Sequence, residues 1–268
     1  MAEQPCEPNQ RSRGTTLEGV ASASGQVVSK LPQVRRLFED PAWYLKGTGF
    51  NIRIRQETVR DLVSGSECGR ILDVGCGNGA ISIPLLRPDN HLTLVDVSSA
   101  MISIARSNIP AELTGNADLQ NADLMVAELE PHSYDLIICM GVLAHVESPS
   151  ATLARVASLL RPGGSLILEF TDAFHPIGLL NVLYHKLRGF RRRSSYSLNL
   201  LSHRDVFGML EATNLKVASA YRYGMWFPVV HKLFTQNTLY RVVRAIFGTS
   251  KNSRSAFLGN AYICLLKG

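Results

Sequence analysis

The segment Asp73-Val-Gly75-Cys-Gly77-Asn-Gly79-Ala80 carries the clearest chemical signal in the chain. It falls where an apolar run ends and an amphipathic stretch begins, so it reads as a strand-to-helix turn. Glycines there let the backbone bend sharply and let a ligand reach the main chain without meeting a Cβ. The spacing Gly75-x-Gly77-x-x-Ala80 also fits a permissive dinucleotide fingerprint, and Asp96 stands where a ribose-binding acid falls at the end of the next strand. A tight turn with no ligand is the plain alternative. Asp73 separates the candidates. A carboxylate two residues before the first glycine lies unfavourably close to a pyrophosphate, whereas it suits a cofactor with an ammonium and a sulfonium.

These residues need a scaffold, and composition permits one. The 268 residues allow one or two domains, and 46% hydrophobic with 19% charged residues is ordinary for a protein that buries a core. The net charge of +6 is concentrated between Lys186 and Arg193, a patch read first as a solvated face and second as a contact for an anionic substrate, membrane or nucleic acid. Cys6, Cys68, Cys76, Cys139 and Cys264 are scattered without a Cys-x-x-Cys pair, which argues against a disulfide framework or a zinc site. Cys76 and Cys139 read as small buried hydrophobes. Residues 1–30 have no apolar core and no window approaches eighteen uninterrupted apolar residues, so the expectation is a disordered lead-in, a cytoplasmic location and no spanning helix.

Residues 33–64 read as helical, broken at Lys46 to Gly49. From Arg70 onward strands and helices alternate. Strands are expected at 71–74, 92–96, 134–140, 165–170, 216–222 and 261–267, and helices at 80–86, from Ser98-Ser99 onward, at 150–160 and at 202–213 with Ser202 as cap. Apolar strands between amphipathic helices predict a mostly parallel sheet covered on both faces.

With these elements in place, Ile71 to Gly79 resembles the glycine loop of the class I S-adenosylmethionine-dependent methyltransferases. Four further segments agree in order: Leu94 to Ser98, Asn121-Ala122-Asp123, Tyr134 to Val146, and Leu159 to Ile167. Together they cover roughly residues 55–170. The resemblance implies a doubly wound seven-stranded sheet of Rossmann-like α/β type, with S-adenosylmethionine as methyl donor. It implies that Asp96 binds both ribose hydroxyls, with Val97 beside it, and that Asp73, Gly75 and Gly77 form the wall near the methionine moiety. Asp123, with Leu124, falls near the adenine amino group; Asp118 is a rival because the usual Gly-Asp pair is missing. Met101 is expected on the adenine ring or in the core. Met140 and Gly141 are expected along the passage from sulfonium to substrate. Arg55, with Arg53 as rival, is expected to clamp the methionine carboxylate through its guanidinium fork, or else to lie on a solvated helix face. His145 follows the fourth strand and is the candidate general base, its pKa needing little tuning for neutral pH, or a packing residue. No acid cluster follows Cys139, so no catalytic metal is expected.

Residues beyond the minimal fold should select the acceptor. They are 173–200, with an apolar stretch before the basic run, and 224–259, whose second half reads as an amphipathic helix with apolar positions 239, 242, 243, 246 and 247. Either segment is a cap on the core, the wall of an apolar acceptor pocket, or a face on lipid. Trp43 and Tyr44 are lid candidates, while His175 and Tyr196 receive no role. The expected organisation is one domain over 31–268, comprising a helical cover at 33–64, a cofactor-binding core at 70–171 and substrate-side insertions at 173–200 and 224–259. The expected activity is methyl transfer to oxygen, carbon or nitrogen of a small, apolar acceptor such as a secondary metabolite, quinone or lipid-like molecule. The rivals are RNA methylation, disfavoured by the short basic cluster, and a catalytically silent binding module. A nicotinamide oxidoreductase ranks behind both, and oligomeric state is left open.

Overall fold

The computed structural model describes residues 29–41, 49–179, 198–224 and 234–268. Trp43, Tyr44, Tyr196, the basic run Lys186–Arg193 and the stretch Trp226–Val230 lie outside the described residues.

Short apolar runs form the strands. They are β1 (Arg70–Val74), β2 (His91–Asp96), β3 (Ala117–Asn121), β4 (Tyr134–Met140), β5 (Leu160–Thr171), β6 (Lys216–Tyr223) and β7 (Ala261–Lys267). They lie in the order β3-β2-β1-β4-β5-β7-β6. The first five pair in parallel, and β7 runs antiparallel to both β5 and β6. This is a seven-stranded, mostly parallel, Rossmann-like sheet. The strand order reverses between β1 and β4, and ligands in such sheets bind beyond the carboxyl ends at that switch point. Leu72, Val74, Ile137 and Leu168 fill one face; Ile71, Leu94, Ile138 and Ile167 fill the other.

Helices α1 (Leu31–Phe38) and α2 (Gly49–Leu62) precede the sheet; α3 (Ser99–Asn108), α4 (Pro149–Leu159), α5 (His203–Glu211) and α6 (Gln236–Phe247) are interleaved with it. Their starts are set by side-chain caps. Ser98 accepts from the Met101 N–H, Ser148 from Ala151, and Ser202 exchanges bonds with Asp205 in a full capping box. In α6, Leu239, Val243 and Phe247 are buried at four-residue spacing while Val242 and Ile246 are exposed. Arg244 turns inward to Glu57 at 2.6 Å, and Tyr240 donates to the same carboxylate at 2.7 Å. The amphipathic helix therefore packs on α2, and two of its five expected apolar positions face outward.

Two expectations need correcting. The helix expected over 80–86 is only a 3-10 turn at Ile83–Leu85. Pro84 has no N–H to continue an α-helical ladder, so bonding reverts to Leu85 N–H on Ser82 and Leu86 N–H on Ile83. The edge strand β3 was not expected as a strand, because Asp118, Gln120 and Asn121 interrupt its apolar alternation at a half-exposed position.

Candidate functional site

The site starts at the carboxyl ends of β1, β2 and β4. After β1 the chain turns through Gly75, Gly77 and Gly79, with φ of +66°, +54° and +71°. At Gly75 an added Cβ would lie 2.6 Å from a Val142 methyl, and at Gly79 it would lie 2.3 Å from Ile83 Cδ1. At Gly77 an added Cβ would meet nothing within 4 Å, because this residue opens onto a cleft. The cleft is the kind of main-chain cradle that a ligand, rather than a neighbouring side chain, completes.

Asp96, at the end of β2, holds that loop. Its Oδ2 accepts from the Gly77 N–H and its Oδ1 from the Ser98 N–H, both at 2.8 Å. Each oxygen keeps acceptor capacity toward the cleft. Burial raises the Asp96 pKa, and the two N–H donors restrain that rise. Asp73 lies beneath the loop with 3% of its surface exposed, and its Oδ2 meets no hydrogen-bond partner. Burial, against the Ser82 hydroxyl and reinforced by the Asp96 charge, pushes its pKa up to about 7.

The opposite end of the cleft is made by Asp123 and Leu124. Asp123 Oδ1 accepts from the Met125 N–H at 2.7 Å, fixing the turn after β3. Its rival Asp118 is half of a surface pair with His91 at 2.8 Å and is absent from the lining. Val97, Met140, Gly141 and His145 line the cleft as well. Among the described lining residues the ionisable groups are Asp96, Asp123, Glu147 and His145, with no lysine or arginine. The field is that of a site for a cation, and it opposes a pyrophosphate.

Helix α1 closes the cleft from above. The Ser98 hydroxyl donates to the Phe38 carbonyl at 2.9 Å, Arg35 Nε donates to the Val97 carbonyl at 3.0 Å, and Glu39 accepts from the Ser99 N–H at 2.9 Å. Leu31, Val34 and Phe38 face the cleft. Sequence reasoning did not place these three there, although their i, i+3, i+7 spacing marks one helix face.

His145 sits where this cleft meets a second cavity, and both share Gly141. Its ring meets Phe38 edge-on at 5.3 Å between centroids. Burial, followed by the positive charge of Lys30, pushes its pKa down to about 4. The expectation of a histidine needing little tuning is thereby corrected: desolvation keeps the imidazole neutral and weakly basic.

The second cavity is lined by Arg55, Glu169, Asn199 and Asn260, together with Leu143, Phe170, Leu200 and other apolar residues. Glu169 is a buried carboxylate on β5. Arg55 Nε donates to its Oε1 at 2.8 Å, and Arg55 Nη2 lies 2.5 Å from its Oε2. The Tyr223 hydroxyl donates to Asn51 at 2.5 Å and lies 3.3 Å from Glu169. Asn199 Nδ2 donates to the Leu143 and Val146 carbonyls at 2.9 and 2.7 Å, tying the chain before α5 to the loop after β4. Sequence reasoning missed Glu169, Asn199 and Asn260, for which no local motif exists.

Asp96, Val97, Gly75, Gly77, Asp123, Leu124, Met140, Gly141 and His145 are thus brought together around one cleft, whereas Asp73, on β1, is buried and does not line it. Two further expected cofactor residues are placed elsewhere. Met101 is 1% exposed and packs inside the first turn of α3, so the core alternative describes it. Arg55 lies at the border of the second cavity, paired with Glu169, its Nη2 3.7 Å from where a Gly141 Cβ would stand. Arg53, its rival, stacks on Tyr240 with the guanidinium carbon 3.7 Å from the ring centroid. Among the described residues no group of three or more His, Cys, Asp or Glu side chains could hold a metal ion.

Comparison with known proteins agrees with this geometry. A family described as a methyltransferase domain matches residues 71–164. A ubiquinone biosynthesis O-methyltransferase of Xanthomonas campestris pv. campestris is 36% identical over 158 residues, covering 53% of this chain and 66% of the relative. Its counterpart in Xanthomonas euvesicatoria pv. vesicatoria is 33% identical over 119 residues, covering 44% and 48%. The chain thus spans about half to two thirds of the length of these relatives. Among solved structures, a magnesium protoporphyrin IX methyltransferase from Synechocystis with bound S-adenosylhomocysteine superposes with a TM-score of 0.60 at 19% identity, covering 89% of this chain and 99% of that one.

Proposed function

We infer that this chain, a member of the class I S-adenosylmethionine-dependent methyltransferases, transfers a methyl group from S-adenosylmethionine to oxygen, carbon or nitrogen of a small, apolar acceptor. One observation carries the reading. Among the described residues, the cleft at the switch point of the sheet is lined by Asp96, Asp123 and Glu147 with no lysine or arginine, and Gly77 opens onto it without a side chain. These acceptors fit a ligand bearing hydroxyls, an ammonium and a sulfonium, and repel the pyrophosphate of a nicotinamide dinucleotide.

When bound, S-adenosylmethionine supplies an activated methyl group on its sulfonium. The chain's own residues bind and align. Asp96 would hold the two ribose hydroxyls, and Asp73 would hold the ammonium directly or through water. Asp123 would hold the adenine amino group, with Val97 and Leu124 against the ring. Arg55, whose guanidinium is paired with Glu169 at the Gly141 border, is left without a role in holding the methionine carboxylate. Met140 and Gly141 frame the opening between the two cavities, where holding nucleophile, methyl and sulfur in line contributes roughly 7–11 kcal/mol. With its pKa near 4, His145 acts by shape at this opening more than by taking a proton.

The relatives' role in ubiquinone biosynthesis favours a phenolic, quinone-like acceptor. RNA methylation and a catalytically silent fold are not favoured, since the glycine loop is held open by Asp96 and the second cavity sets Leu143, Phe170, Leu198 and Leu200 beside its polar residues. Contact with a lipid surface is a finer part of the reading, supported by exposed Val242 and Ile246 beside Arg241 on α6. Purified protein incubated with S-adenosylmethionine and a panel of alkylated catechols and hydroquinones should release S-adenosylhomocysteine, read by mass spectrometry. Release no faster than in a no-enzyme control across the panel would contradict the reading.

A further inference from the structure

Helix α1 crosses the cofactor cleft like a bar, and its two ends are fastened differently. Its eight residues span about 12 Å. The carboxyl ends of β2 and β4, on either side of β1, stand on the order of 10 Å apart, so one helix of this length bridges them. Leu31, Val34 and Phe38 face the cleft, while Pro32, Arg35 and Arg36 are exposed. A ligand seated on the Gly77 cradle therefore lies under the apolar side of α1.

The Phe38 end is built into the domain. The Ser98 hydroxyl donates to the Phe38 carbonyl at 2.9 Å and also caps α3. Glu39 accepts from the Ser99 N–H at 2.9 Å, and Arg35 Nε donates to the Val97 carbonyl at 3.0 Å. From there the chain runs on to α2, which buries Ile54 and Val59. The Lys30 end is fastened by side chains near the surface. The Ser29 hydroxyl donates to the exposed Glu147 carboxylate, as does the Lys30 N–H at 2.9 Å, and Lys30 Nζ donates to Asn199 Oδ1 at 2.6 Å. Asn199 is a fixed post, because its Nδ2 holds the Leu143 and Val146 carbonyls and its N–H holds the Ala144 carbonyl at 3.0 Å. Bonds between exposed groups contribute little each and reopen readily, so the Lys30 end releases first.

We propose that α1 is a strap, hinged at Phe38–Glu39 and latched at Lys30 by Glu147 and Asn199, whose unlatching sets the rate of cofactor exchange. The inference rests on the cleft being the S-adenosylmethionine site. With the latch closed, α1 stands between the Gly77 cradle and solvent. Bound ligand gives Leu31, Val34 and Phe38 a packing partner, so it favours the closed position. Free and occupied protein share the same latch. Weakening it therefore speeds ligand entry and ligand departure by a similar factor and leaves the equilibrium affinity nearly unchanged. A contact that merely held the ligand would act otherwise: its loss would speed departure alone.

The test measures S-adenosylhomocysteine binding to the full chain by surface plasmon resonance. Lys30→Met keeps the aliphatic stem and removes the ammonium that meets Asn199. Its association and dissociation rate constants should both rise about three- to tenfold, with the dissociation constant within about twofold of wild type. Ser29→Ala, which removes the hydroxyl bond to Glu147 at the surface, should move both rates the same way by a smaller factor. Hydrogen exchange of the 31–38 amides should slow when S-adenosylhomocysteine binds the wild-type chain, and should be faster in unliganded Lys30→Met than in unliganded wild type. Wild-type rates in both variants, faster dissociation with unchanged association, or amide exchange in α1 indifferent to ligand would each overturn the strap while leaving the cofactor site standing. A wild-type chain that binds no S-adenosylhomocysteine would overturn the cofactor site and the strap together.

Discussion

The two cavities that meet at Gly141 and His145 are built in different ways. The cofactor-side cleft is made largely of main chain at strand ends, with Asp96 bonding Gly77 and Ser98 within 22 residues of sequence. The second cavity is made of side chains from far apart: Arg55 reaches Glu169 across 114 positions and Tyr223 reaches Asn51 across 172. Backbone cradles need particular residue types at fixed short spacings, because only certain φ values and strand-end acids make them. Side-chain pockets need only that some distant residue fill the space, so their composition drifts with the ligand.

The strongest way to break this comparison is at Asp96. Two charge-assisted hydrogen bonds contribute about 1.5–3 kcal/mol each, so Asp96→Ala should weaken S-adenosylhomocysteine binding at least a hundredfold by calorimetry while circular dichroism stays native. A loss below tenfold would return Asp96 to a structural role.

Asp73 gives a pH signature. Its carboxyl is raised to about 7, so it is protonated below that pH and ionised above it. A cationic ammonium requires the ionised form, and affinity for S-adenosylhomocysteine should fall about tenfold per unit as pH drops below 7. Asp73→Asn should bind weakly and flatten that slope. Wild-type affinity independent of pH between 5.5 and 7 would argue that Asp73 serves only the fold.

The glycines sharpen the contrast between cradle and packing. Gly79→Ala drives a Cβ into Ile83 and should lower stability by about 1–3 kcal/mol, read as a fall in Tm. Gly77→Ala adds its methyl to open space in the cleft, so it should lower Tm less and cofactor affinity more. The reverse pattern would mean that the Gly77 wall faces no ligand. The smallest effect belongs to His145. Its pKa near 4 predicts no inflection from it between pH 5.5 and 8, and His145→Ala should change kcat by a few-fold only. A variant slowed more than a hundredfold near neutral pH would make it a catalytic base.

Legibility in the sequence followed the same division. The sheet class, β7 at its observed bounds and the Ser202 cap could be read because apolar runs and cap residues act locally. The glycine loop and Asp96 were readable because a strand-end cradle tolerates few alternatives. The stretch over 80–86 misled because its apolar spacing suggested a helix that Pro84 interrupts. Met101 stood at a promising first-turn position, yet its rotation about α3 sends it into the core. Glu169 lay hidden in a run of strand residues, since nothing near it in sequence announces an arginine on α2. Asn260 was equally silent, a single amide before a strand whose significance depends on what surrounds it in space.

The central claim concerns which ligand the carboxylate-lined cleft accepts. Calorimetric titration of the purified protein with S-adenosylhomocysteine and, separately, with NAD tests it most directly. Saturable binding of S-adenosylhomocysteine at least a hundredfold tighter than any binding of NAD is the predicted result. Equal affinities, or a preference for NAD, would contradict the account.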